Sequence, residues 1–75
     1  MDENYERLAQ AVIMRAVMDL RGAFRRLRRF PDDTMSQAEV RDITGFFCSQ
    51  YFNLLTSLDG PLLLQKIIDE MEVKA

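Results

Sequence analysis

Seventy-five residues with a net charge of −2, one cysteine and no histidine leave no disulfide framework and almost nothing to hold a structural zinc ion. A hydrophobic share of 48% is too high for a disordered chain. No apolar run approaches the ~18 residues that a membrane-spanning helix needs. A single domain over residues 1–75 is expected, in the cytoplasm and away from membranes. The acidic, polar start "MDENYERL" argues against a secretory signal, and a lone cysteine suits a reducing compartment, where Cys48 reads as a small buried hydrophobe.

From Glu3 to Arg29 there is no proline and one glycine, Gly22. At ~100° per residue, Tyr5, Ala9, Val12, Ile13, Ala16, Leu20, Ala23, Phe24 and Leu27 share one broad face. Arg7, Arg21, Arg25 and Arg29 fall opposite, with Arg15, Arg26 and Arg28 on the flanks. The spacing predicts one long amphipathic helix, acidic at its start and basic at its end, as the helix dipole favours. Gly22 is its weak point, and marks either a bend or close approach of another backbone.

"FPDDT" ends that helix, because a residue before proline is pushed out of α geometry. "SQAE" then reads as a capping box, Ser36 capping and Glu39 reaching back, with Asp33 or Thr34 as alternative caps. In the second helix Val40, Ile43, Phe47, Tyr51, Leu54 and Leu58 form a stripe, and Phe46 and Phe52 lie off it. A straight helix would expose one of those two phenylalanines. A break near Cys48 and Ser49 removes the conflict, with Ser49 capping a short helix from Gln50 to about Ser57. In "LDGP", Asp59 can cap and Pro61 suits the first turn of a last helix, whose apolar side holds Leu63, Leu64, Ile67, Ile68 and Met71. The fold class is therefore all-α: a small bundle in which a long N-terminal helix is packed by two further helices and a short connecting one.

The segment "AVIMRAVMDLRGAF" and, more specifically, "FFCSQYFNLLTSLDGPLLLQKI" resemble patterns in small all-helical proteins of Firmicutes prophages and conjugative elements. Those proteins more often carry tryptophan where this chain has Tyr51, and a basic residue where it has Cys48. The resemblance implies a genomic setting rather than an activity. Small proteins of such elements often bind and redirect a host or defence protein, anti-CRISPR inhibitors among them.

Catalysis finds no support in the residues, and no catalytic group, metal or cofactor is expected. Without histidine, a thiol nucleophile at Cys48 has no activating partner. Asp19, one turn after Arg15, reads as half of an Asp–Arg pair, or else as a shielded acid. "DGP" is a helix-entry turn, not a phosphate loop.

The arginines are the feature that asks for a function. Residues 14–30 hold six arginines against one aspartate, a net charge of +5 in an otherwise acidic chain. Three uses compete: pairing with acidic residues such as Asp32, Asp33, Asp69, Glu70 or Glu72, docking of an acidic protein, and a grip on nucleic acid. The acidic pI of about 5.0 ranks nucleic acid below a protein partner. Met14 and Met18 lie on the arginine side, and methionine with arginine is a composition typical of interfaces. The expected partner-binding set is Met14, Met18, Arg21, Arg25, Arg28 and Arg29. The partner would be a host or element protein with an acidic patch. The expected function is a small non-enzymatic phage or mobile-element protein acting by protein–protein interaction, as an inhibitor of a host defence system. The alternative is a small nucleic-acid-binding regulator. A homodimer through Met14 and Met18, or through the last helix, is also expected.

Overall fold

A computed structural model describes residues 3–73, with side chains through Met71. It contains four helices, α1 Glu3–Arg29, α2 Thr34–Phe47, α3 Gln50–Leu55 and α4 Gly60–Val73, and no strand among the described residues. The all-α bundle and its break at Cys48–Ser49 are as the sequence implies. The short helix ends at Leu55, earlier than Ser57.

Helix lengths determine the architecture. α1 has 27 residues and α2 and α4 have 14 each. At 1.5 Å per residue, α1 is about 40 Å long and each partner about 21 Å. Neither partner can cover α1 from end to end. α2 turns back at residues 30–33 and packs along the C-terminal part of α1. α4 reaches that same part from another side, Glu70 meeting Arg21 and the Met71 carbonyl meeting Arg28. The first half of α1 is left to α3, where the Tyr5 hydroxyl donates to the Leu54 carbonyl at 3.3 Å.

The core gathers Ile13, Val17, Leu20, Phe47, Phe52, Leu64 and Ile67. Val17 sits at the edge of the face drawn from periodicity, and α4 closes over it. Phe47 and Phe52 are fully buried, their ring centroids 5.4 Å apart, and Phe46 packs edge-on to both. The break brings this about. Ser49 ends α2 by donating its hydroxyl to the Phe46 carbonyl at 2.7 Å, and starts α3 by accepting from the Phe52 amide at 3.2 Å. The turn aims Phe47 and Phe52 at the same core. It also carries Cys48 to the outside, so the thiol is exposed, contrary to the buried hydrophobe expected. The predicted stripe ends there too: Tyr51, Leu54 and Leu58 are exposed, because the chain direction changes between Phe47 and Tyr51.

Two local expectations are corrected. The glycine that permits close backbone approach is Gly60, not Gly22. A Cβ on Gly60 would collide with the Phe47 carbonyl oxygen, whereas one on Gly22 would meet only the side-chain ends of Arg26 and Arg25. The capping box does not form either. α2 begins at Thr34 with Asp33 as its N-cap, and Asp33 makes no side-chain cap bond. Ser36 is buried and donates to Asp33 at 2.5 Å, while Arg26 donates to Ser36 at 3.0 Å and to Glu39 at 2.7 Å. α2 begins two residues ahead of Ser36, and a guanidinium from α1 binds both residues of the box through charge-assisted hydrogen bonds. At the start of α4, Asp59 does cap, accepting from the Leu62 amide at 3.0 Å.

Candidate protein-docking surface

The arginines of α1 divide by whether another helix reaches them. Three of them meet a neighbour. Arg26 is held by Ser36 and Glu39 of α2. Arg21 donates to Glu70 at 2.8 Å, both side chains being a little over one-third exposed. Arg28 donates to the Met71 carbonyl and so satisfies an acceptor in the last turn of α4. Of the acidic residues named as internal partners, Glu70 is used by Arg21, and Glu72 lies outside the described side chains.

Arg25 and Arg29 point outward. Arg25 is exposed and makes no ion pair among the described residues, and Arg29 lies 5.9 Å from the centre of the exposed Phe30 ring. Arg7 and Arg15 form exposed pairs with Glu3 and Asp19, four residues away in each case. Such pairs contribute about 0.3–0.5 kcal/mol. Asp19 is thus half of a surface ion pair, the plainer of its two readings.

Met14 and Met18 are 56% and 60% exposed, so no second helix covers them. With Arg25 and Arg29, and with Phe30 just past the helix end, they form an outward strip that is both apolar and cationic. Of the six residues expected to bind a partner, Met14, Met18, Arg25 and Arg29 lie on this strip. Arg21 and Arg28 are committed to α4 inside the fold.

Next to the strip, the structure opens a groove of about 1030 Å³ that the sequence does not announce. Its walls are α1 from Tyr5 to Arg21, residues 53–58, and α4 from Leu63 to Glu70. Ile13, Val17, Leu63 and Ile67 contribute apolar floor, and Met14 and Arg21 mark the border with the outward strip. The buried Arg21 Nε has no hydrogen-bond partner among the described residues. A helix twice as long as its partners, followed by exposed leucines in the loop that faces it, is the trace of this groove in the sequence.

Among the described residues, no group of three histidine, cysteine, aspartate or glutamate side chains is placed to hold a metal ion. No helix among the described residues is long and apolar enough to cross a membrane. Comparison with known protein families, curated proteins and solved structures finds no match, so none of the three bears on the prophage and conjugative-element resemblance.

Proposed function

We propose that this chain is a small non-enzymatic protein of a phage or mobile element that works by binding another protein, as an inhibitor of a host defence system. The genomic setting and the inhibitory role rest on the sequence resemblance. The mode of action rests on one observation: Met18, Arg25, Arg29 and Phe30 stand exposed from the middle of α1 to just past its end, while Arg21, Arg26 and Arg28 are consumed by the fold. Methionine, arginine and aromatic side chains are the types enriched where proteins meet. Free guanidinium groups on such a strip suit an acidic partner, whose charge speeds association and selects orientation.

Nucleic acid ranks second. Each phosphate contact on duplex DNA contributes ~0.9 to the salt slope of binding, and useful affinity needs several contacts. Arg21, Arg26 and Arg28 are engaged elsewhere, and the acidic remainder of the chain repels a phosphate backbone.

The experiment is a charge reversal read two ways. Arg25→Glu with Arg29→Glu should leave the melting temperature unchanged and abolish capture of the partner by tagged protein in extract of the natural host. Arg21→Glu alone should lower the melting temperature, because it sets a carboxylate against Glu70. A gel shift at physiological salt, lost in the Arg25 and Arg29 variant, would favour nucleic acid. Unchanged partner capture by that variant would remove the strip from the mechanism.

A further inference from the structure

We propose that the groove between the first half of α1 and residues 53–58 is the seat of a second copy of this chain, in a two-fold symmetric dimer. This is a different surface from the acidic-partner strip, and neither reading depends on the other.

A two-fold contact uses the same patch on both subunits, so the patch must offer a projection and a recess together. This one does. The recess has Ile13, Val17 and Leu63 in its lining. The projection is the adjoining lip, where Leu54 is 75% and Leu58 56% exposed. The two leucines stand on the wall of an apolar groove, at a place where no helix of the chain covers them. Burying them in the recess of a second copy removes apolar surface from water on both sides at once.

Charge on the two walls selects the occupant. Beside the Arg21–Glu70 pair, whose charges offset each other, the lining carries Glu6 on the α1 wall and Lys66 on the α4 wall. They have opposite sign, and neither makes an ion pair within its own chain among the described residues. A two-fold axis through the groove, set across the line joining them at its midpoint, brings Glu6 of each copy to Lys66 of the other. Two ion pairs then form by symmetry at the rim of an apolar contact. Rim pairs of this kind add little affinity, but a like-charge replacement costs enough to reject the wrong partner.

That arrangement has a test with a built-in rescue. Sedimentation velocity over a range of concentrations should show the wild-type chain passing from monomer to dimer. Leu58→Asp should remain monomeric. Glu6→Lys alone and Lys66→Glu alone should each weaken self-association by about tenfold at low salt, since each creates two like-charge contacts. An equimolar mixture of those two variants should form a heterodimer. One copy then carries a cation at both positions 6 and 66 and the other an anion at both, so opposite charges face each other at both contacts. Unchanged helical circular dichroism in all three exposed-site variants separates lost association from lost folding. Wild type that stays monomeric up to its solubility limit overturns the proposal. So does a dimer that Leu58→Asp or the charge variants leave intact, or a mixture that associates no better than either variant alone.

Discussion

The two halves of α1 are built from one amphipathic pattern and meet different fates. From Val17 onward, α2 and α4 close on the helix from two sides, and Arg21, Arg26 and Arg28 bind across to them. Before Met14, the neighbour is α3 with the loop that follows it, and the tie is Tyr5 to the Leu54 carbonyl. The difference teaches that charge on a long helix takes its meaning from what lies beside it. Where neighbours reach, arginine is a structural cross-link. Where they do not, apolar groups remain open and cations remain available.

Breaking the closed half should have the largest effect. Phe47 is fully buried at the junction of α2, α3 and α4. Phe47→Ala should cost about 3–5 kcal/mol, from lost transfer energy and the cavity left behind. That is much of the ~5–15 kcal/mol available to a small domain. Denaturant unfolding measures it, and an unchanged midpoint would refute a core centred on this ring.

A smaller effect separates arginines that are neighbours in sequence. Arg26→Ala leaves the buried Ser36 hydroxyl without its donor and Glu39 without its cation, for a loss of about 1–3 kcal/mol. Arg25→Ala, on the outward strip, should stay within about 0.5 kcal/mol of wild type. Equal losses from the two, in the same unfolding experiment, would show that the division into bound and free arginines is wrong.

The smallest effect lies in the native state. Amide hydrogen exchange at a concentration low enough to keep the chain monomeric should be faster for Leu8–Val12 than for Val17–Ala23. The first stretch faces α3 and the loop after it and can open without disturbing the main core. Equal protection along α1 would erase the contrast between its halves.

How much was legible in advance differs from residue to residue. The end of α1, the junction of α2 with α3 and the start of α4 were, because they depend on groups a few residues apart. Pro31 stops α1, Ser49 serves α2 and α3 together, and Asp59 caps α4. The inward faces were legible for the same reason: a turn of ~100° per residue makes Ala9, Ile13, Leu20 and Ala23 neighbours whatever surrounds them.

What tertiary structure alone decided involves residues far apart in the chain. Arg21 finds Glu70 at a separation of 49 positions, and Arg28 finds the Met71 carbonyl at 43. Those matches follow from where α4 crosses α1, which no local rule contains. The local capping box lost Ser36 and Glu39 to Arg26 once α2 had folded back. Gly60 became indispensable only when the Phe47 carbonyl came to rest against it. Hydrogen-bonded turns and helical periodicity act over a few residues, so composition and spacing display them. The choice of which charge is paired and which apolar face stays open depends on helix lengths and crossings, and it is made when the chain closes on itself.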